Sequence, residues 1–286
     1  MSKYFCVSDI HGFYDELMEA LNKASFDINN PSHILIVCGD IFDRGPKPLE
    51  VYNFLKSLPK ERRVLIRGNH EHLLRDLVAR KFPEDHDHSN GTYDTLFALA
   101  GLETPKQLTH NYYKETSKVT YGEAEYEAIR SAYLKKIRSV YSGLVKEIIE
   151  WIYSDDWVNY YELPEYICVH GFIPYSQDHV LKWYTYYPTG PKTYREDWRN
   201  ATDTEWEDAS WFNWSNSWED YKNGLNKTGK TLIVGHWHSS DFFNHLTKQK
   251  KTTQENPIFI SKKYKLIALD ACTALTHKIN VYVIDC

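Results

Sequence analysis

The chain predicts an α/β fold in which two β-sheets pack on one another and helices cover them. Three observations carry that expectation. Strand-like and helix-like patterns alternate from Tyr4 to Val78, as a layered α/β core requires. Residues 82–156 read as mainly helical, an insertion within one domain spanning 1–286. Strand patterns then resume after residue 159 and recur to the end, enough for a second sheet on the first.

The elements follow in order. Tyr4–Val7 is a short strand, and Phe13, Leu17, Met18 and Leu21 mark one face of the helix after it. His33–Cys38 is an apolar run suited to burial on both faces, and Pro46–Leu58 reads as a helix opened by prolines. Arg63–Ile66 is a third strand, leading through Asn69 into a helix that carries Leu73, Leu74, Leu77 and Val78. In the insertion, Tyr126, Ile129, Tyr133, Ile137, Tyr141, Leu144, Ile148 and Ile152 recur at threes and fours. Strands are expected at Asn159–Leu163 and Tyr166–Val169, then an irregular stretch over 171–230 rich in Trp and Tyr, then strands at Thr231–Val234, Tyr264–Leu269 and Ile279–Ile284.

Composition excludes more than it selects. With 286 residues, 42% of them hydrophobic, the chain can bury a substantial core without disulfides or structural metals. A net charge of -5 gives no basic footprint for nucleic acid, so phosphate recognition has to be local. Cys6, Cys38, Cys168, Cys272 and Cys286 show no CxxC spacing, and the first four lie in or beside strands, as small buried hydrophobes of a reducing compartment. The N-terminus runs into a strand without a signal-peptide pattern, and the longest apolar run, Ile34–Cys38, is far too short for a membrane span. A cytoplasmic protein with no membrane partner is expected.

Four islands carry the chemistry: Ser8-Asp9-Ile10-His11-Gly12, Gly39-Asp40-Ile41-Phe42-Asp43-Arg44-Gly45, Arg67-Gly68-Asn69-His70-Glu71 and Gly235-His236-Trp237-His238. Each follows an expected strand. Asp9 and His11, one residue apart at a strand end, are expected to point the same way and grip one cation together. Asp40 follows a buried strand behind Gly39 and carries two oxygens that can bridge two metals. Asn69 offers an amide oxygen after the third strand, His170 follows Tyr166–Val169, and His236 follows Thr231–Val234. The expected sets are Asp9, His11 and Asp40 on one metal, and Asp40, Asn69, His170 and His236 on the other. Such mixed oxygen and imidazole donors suit manganese, iron or zinc better than calcium. Two divalent cations against two carboxylates leave a positive site that attracts phosphate and generates a hydroxide nucleophile near neutral pH.

These motifs resemble those of the PPP-type metallophosphatases within the calcineurin-like phosphoesterase superfamily. The nearest in style are its compact bacterial and phage members, the lambda-type serine/threonine phosphatases and the symmetrical diadenosine tetraphosphatases. The resemblance is strongest over residues 4–78, returns at 166–174, 231–238 and 264–271, and leaves out the insertion. It implies a β-sandwich flanked by helices, two metal ions, and Asp43 with His70 as the pair that protonates the leaving oxygen. A carboxylate beside an imidazole keeps it charged, which agrees with that role. Arg44 would clamp phosphate through its planar fork. By the same resemblance, His238, two residues after His236, would join the first metal. Where compact relatives carry a second phosphate-binding arginine after a Trp-Ser or Trp-Asn pair, Trp214-Ser215 is followed here by Asn216, which leaves Arg195 or Arg199 as substitutes.

Simpler readings compete at several positions. An isolated Asp or His near a strand end is more often a turn residue, but six in this order are poorly explained that way. Asp43 as a cap and Arg44 as a surface ion pair are the corresponding alternatives. His72, His86, His88 and His110 lie on polar stretches and read as solvated. The aromatic group Trp183, Tyr184, Tyr186, Tyr187, Tyr194, Trp198, Trp206, Trp211, Trp214 and Trp218 reads as a loop packing on itself before it reads as a base-stacking surface. The expectation is therefore a manganese-dependent phosphatase that hydrolyses phosphomonoesters, a phosphoserine or phosphothreonine protein first, by direct attack of a hydroxide held between two metals. A dinucleoside polyphosphate hydrolase is the alternative. A phosphodiesterase or nuclease, and a metal-free binding module of the same fold, are the rivals of other classes.

Overall fold

Alternating side-chain direction along the strands, which are buried on both faces, sorts the side chains into layers. The computed structural model describes residues 2–80, 84–105, 112–177, 179–182, 185–188 and 190–285. The strands, in chain order, are β1 (Lys3–Val7), β2 (His33–Cys38), β3 (Arg63–Ile66), β4 (Trp157–Val158), β5 (Tyr161–Glu162), β6 (Tyr166–Cys168), β7 (Tyr175–Ser176), β8 (His179–Lys182), β9 (Thr185–Pro188), β10 (Thr193–Tyr194), β11 (Thr231–Val234), β12 (Phe259–Ser261), β13 (Leu266–Ala268) and β14 (Tyr282–Asp285). One five-stranded sheet has the order β14-β1-β2-β3-β4, and a second has β12-β13-β11-β6-β5. β1 to β4 run parallel, as do β6, β11 and β13, while β14, β12 and β5 are antiparallel edges.

The period of two decides which layer each residue joins. Phe5, Val7, Leu35, Val37 and Leu65 face a core shared with the helices. Their neighbours Cys6, Ile36, Cys38 and Ile66 face the other sheet, where they meet Cys168, Ile233 and Ile267. On the far side of the second sheet, Ile167, Leu232, Val234 and Leu266 pack against Trp198, Trp206, Trp214 and Trp218. The expected packing of sheet on sheet is therefore observed, with helices outside.

The helices are α1 (Tyr14–Lys23), α2 (Pro48–Ser57), α3 (Asn69–Ala79), α4 (Asp85–Ser89), α5 (Thr92–Leu99), α6 (Tyr112–Thr116), α7 (Ala124–Val140), α8 (Gly143–Ile152), α9 (Asp203–Ser210), α10 (Trp218–Lys222), α11 (Ser239–Leu246) and α12 (Thr273–Thr276). Among the described residues none is long and apolar enough to cross a membrane. The run of apolar residues from Tyr126 to Ile152 is two helices, because the chain turns at Ser142 (φ -156°) and Gly143 (φ +51°). Phe82, at the expected start of the insertion, lies outside the described residues.

The expected strand Asn159–Leu163 shortens to β5 in the second sheet, while β4, just before it, pairs in the first, so the chain changes sheets between them. The crossing is fixed by Asn159, whose Oδ1 accepts from Arg67 Nη1 at 3.0 Å, and by Tyr160, stacked on Trp206 at 5.1 Å. β7 to β10, within the stretch 171–230 expected to be irregular, were not expected, nor was β12, a three-residue edge strand with Ile260 exposed. Cys6, Cys38 and Cys168 are buried and joined by no disulfide among the described residues, Cys272 is half-buried, and Cys286 lies outside the described residues.

Ile36 is fully buried between the sheets. Ile36→Ala should lower stability by about 2–5 kcal/mol through the cavity it leaves, read as a shift of the denaturant midpoint. A cost below about 1 kcal/mol would mean that this layer is not close-packed.

Candidate metal centre

Parallel strands place their following loops at one edge of a sheet, and this is how distant islands meet. Asp9 and His11 follow β1, Asp40 follows β2 and Asn69 opens α3 after β3; His170 follows β6 and His236 follows β11. The backbone turns sharply there. Asp9, His11, Asp40, Asp43, Arg44 and His236 all have left-handed φ between 51° and 71°. Such non-glycine conformations cost on the order of 1–3 kcal/mol each and persist where the surroundings hold them. Asp9 and His11 are thus beyond the strand, so the alternation expected to align them does not apply; His11 Nε2 still lies 3.9 Å from Asp9 Oδ1.

Asp40 is the meeting point. Its Oδ2 is 3.3 Å from His170 Nε2, 3.9 Å from His11 Nε2 and 3.9 Å from His70 Nε2. Its Oδ1 accepts from the His70 backbone N–H at 3.0 Å. Two glycines make room: a Cβ on Gly39 (φ +83°) would clash with the His170 ring at Nδ1, and one on Gly68 would strike the Asp40 carboxylate.

Backbone carbonyls aim two of the imidazoles. His11 Nδ1 donates to Phe42 O and His170 Nδ1 to Cys38 O, each at 2.8 Å, which turns both Nε2 atoms inward. His170 Nε2 and Asn69 Oδ1 face each other at 2.8 Å, two lone-pair atoms that need either a proton or a cation between them. Two overlapping triads, His11 with Asp40 and His70, and Asp40 with His170 and His236, each bring their donor atoms within 4.8 Å of one another. Carboxylate, amide and imidazole at this spacing fit divalent transition ions, and Asp40 belongs to both groups. For His11 to hold a cation it must give up the hydrogen bond it accepts from Arg44 Nη1 at 3.1 Å.

Electrostatics separates the imidazoles. Burial, then His70 and Arg44, hold His11 well below its usual range, and burial with His170 takes His236 down to about 3, so both favour the neutral form. Burial also opposes charge on His170, but Asp40 overrides it and lifts the group to about 10. In His70 burial is likewise outweighed, by Asp40 and Asp43, and the shift is upward. Asp40 is held well below the ordinary carboxylate range because its imidazole neighbours outweigh its burial.

A second unit adjoins this one. His70 Nδ1 and Asp43 Oδ2 are 2.7 Å apart, with Asp43 fully buried, so Asp43 is neither a surface residue nor a helix cap. Arg44 lies beside His11 and His70, with Nη2 3.2 Å from His70 Nε2, and does not serve as a surface ion pair.

Other expected residues fall elsewhere. His238 stands at the N-cap position of α11 without a side-chain capping bond and lies near Asp270; like Asp9, it is in neither triad. Arg195 is paired with Asp197 and Glu205, and Arg199 with Glu162 and the Trp198 ring. His72 is buried, against the solvated reading, because Tyr153 OH at 3.0 Å and Glu207 at 3.4 Å enclose it. His88 is exposed and His86 partly so, while His110 lies outside the described residues. The aromatic stretch does pack on itself through Trp198, Trp206, Trp214 and Trp218; Trp183 and Tyr184 lie outside the described residues. Trp211 alone of its described tryptophans is exposed, at 44%, 6.3 Å from the His236 ring.

Sequence reasoning missed four contributors. Asp270, buried after β13, raises the pKa of Asp9, to which burial is the larger contribution. Its position at the end of a strand was a usable signal. Glu71 accepts from the backbone N–H groups of Asp40, Ile41 and Gly68 at 2.9, 2.9 and 2.7 Å. Thr92 and Thr95 of α5 bond to Asp43, and no local pattern marks them.

Comparison with known proteins agrees with this geometry. A symmetrical bis(5'-nucleosyl)-tetraphosphatase of Buchnera aphidicola is 48% identical over 71 residues, 25% of this chain and 24% of that protein. An asymmetrical bis(5'-nucleosyl)-tetraphosphatase of Halalkalibacterium halodurans is 34% identical over 110 residues, 36% of this chain and 43% of that one. The chain thus matches from about a quarter to under half of the length of these relatives. The cold-active protein-tyrosine phosphatase of a psychrophilic Shewanella shares the fold at a TM-score of 0.52, with 14% identity over 100% of this chain and 76% of that chain. Residues 2–253 match the family described as calcineurin-like phosphoesterase, and with its ligand-bearing loops gathered around Asp40 the chain belongs to that family.

Proposed function

We propose that this protein hydrolyses phosphate monoesters with two divalent cations, manganese first. One would be held by Asp9, His11 and Asp40, the other by Asp40, Asn69, His170 and His236. The observation that carries the reading is the Asp40 carboxylate, whose Oδ2 is approached by three imidazoles from both sheets. Bound there, the cations would offset the charge of the phosphate and lower the pKa of a water toward neutrality. Arg44 binds phosphate oxygens through its fork. Asp43 holds His70 charged and oriented, so that Nε2 delivers a proton to the departing oxygen. Water attacks phosphorus directly and no phosphoenzyme forms, since no described side chain at the site pairs a nucleophile with an activating base. A metal-free binding module would have no use for this donor set.

The acid also bears on the substrate. Protonation matters most when the leaving oxygen is a poor one, as an alkoxide is, and least when it is a phosphate. That favours an alkyl phosphomonoester, such as a phosphoserine or phosphothreonine side chain, in the cytoplasm. The second reading, a dinucleoside tetraphosphate, is favoured by the names of the curated relatives. A manganese-supplemented panel of phosphopeptides, dinucleoside tetraphosphates and a phosphodiester decides between them by kcat/KM. A diester preferred over both would remove the monoester reading altogether.

Elemental analysis of active protein should find about two divalent ions per chain, and Asp40→Asn should lower occupancy at both sites because it removes the shared ligand. Equal metal content in wild type and Asp40→Asn would refute the bridge. His70→Asn should keep its metals yet lose on the order of a hundredfold or more in rate on an alkyl phosphate. On 4-nitrophenyl phosphate, whose leaving group departs without a proton, the loss should shrink. An identical loss on both would replace the acid role of His70 with an electrostatic one.

A further inference from the structure

The contacts that hold Asp43 come from α5, far along the chain from the loop that carries it. Thr92, fully buried at the first turn of α5, donates its hydroxyl to Asp43 Oδ2 at 2.8 Å. That same oxygen faces His70 Nδ1 at 2.7 Å. The other oxygen, Oδ1, is buried with no hydrogen-bond partner among the described residues. Among those residues Thr92 is therefore one of only two groups that fix the carboxylate, and His70 is the other. One turn along α5, Thr95 Oγ1 accepts from the Asp43 backbone N–H at 2.9 Å. Asp43 and Arg44 are consecutive left-handed residues, φ 71° and 67°, and Thr95 pins the first of them. Gly91 lets the start of α5 approach this turn, since a Cβ there would stand 3.0 Å from Arg44 N.

We propose that α5 of the helical insertion is a positioning element for proton delivery, with Thr92 orienting the Asp43 carboxylate toward His70 and Thr95 fixing the Asp43 backbone. The proposal rests on Asp43 and His70 as the acid pair. Thr92 shares Oδ2 with the imidazole and so keeps Asp43 an acceptor, leaving the His70 proton to depart from Nε2 toward the substrate. With the Thr92 hydroxyl gone, the carboxylate has no partner but His70 and can rotate, and the imidazole loses its fixed aim. Through these two hydroxyls a segment remote in sequence from the ligands governs the efficiency of the acid.

Thr92→Val removes the hydroxyl while keeping the shape, and Thr92→Ser keeps the hydroxyl. With manganese-loaded protein, Thr92→Val should lower kcat on an alkyl phosphate by about tenfold, with KM within about twofold of wild type. The loss should be smaller on 4-nitrophenyl phosphate, and Thr92→Ser should restore most of it. In the metal-free protein, the downfield proton resonance of the His70 Nδ1–H should move in Thr92→Val and stay in place in Thr92→Ser. If Thr92→Val fails to fold, Thr92→Ala serves, since it removes the hydroxyl without adding apolar volume. His70→Asn, measured alongside, separates the two levels: if it shows no leaving-group dependence, the acid reading itself fails. If it does, and the Thr92 variants lose nothing or lose equally on both substrates, the positioning role is overturned.

Discussion

The buried carboxylate of Glu71 is the contact on which the rest of the site depends. It sits on the first turn of α3 and accepts three backbone N–H groups, from Gly68 on its own loop and from Asp40 and Ile41 on the loop after β2. Two loops that leave neighbouring strands are thereby locked in one geometry, and Asp40, Asn69 and His70 are placed relative to each other by a single side chain. Burial, with Asp40 next, pushes Glu71 up to about 7, against the pull of those three hydrogen bonds. Hydrogen bonds to an ionised group contribute about 1.5–3 kcal/mol each, enough to keep a fully buried acid in place. Its position three residues after Gly68 is that of a capping box, so a local helix signal also serves a tertiary junction.

The imidazoles show how burial and neighbours divide identical side chains. His11 and His236 are pressed toward the neutral form, while His70 and His170 are drawn toward the charged one by the carboxylates they face. Backbone carbonyls fix the orientation of two of these rings from behind, and Asp43 fixes that of His70. These rings are thus oriented by the protein's own atoms, and left-handed φ values such as those around them persist where the surroundings hold them.

Much of this was legible in the chain itself. β1, β2 and β3 announce themselves as apolar runs, and the islands after them hold most of the donors, because parallel strands deliver their C-terminal loops to a common edge. The second sheet was legible at β6, β11 and β13 for the same reason. The hidden features depend on tertiary pairing. The exchange of sheets at Asn159–Tyr160 is settled by Arg67 and by aromatic contacts with Trp198 and Trp206, none of them local. His72 looked solvated from its polar neighbours, yet Tyr153 and Glu207, distant in sequence, cover it. Thr92 and Thr95 sit in an ordinary helix, and only the fold brings them to Asp43.

The donor atoms come from both sheets. Asp9, His11, Asp40 and Asn69 arise from the first, while His170 and His236 arise from the second, across an apolar seam of Cys6, Ile36, Cys168 and Ile233. A chain that has assembled only its first sheet would hold four of these six donors. Docking of the second sheet would supply the other two, so affinity for any ion gathered at Asp40 would measure how well the seam has closed. By mass action the same ion returns its binding free energy to the docked state and none to the separated sheets. The centre is then also a clasp, and mutations buried in the seam, far from any polar atom, would register as weaker ion binding before they register as unfolding.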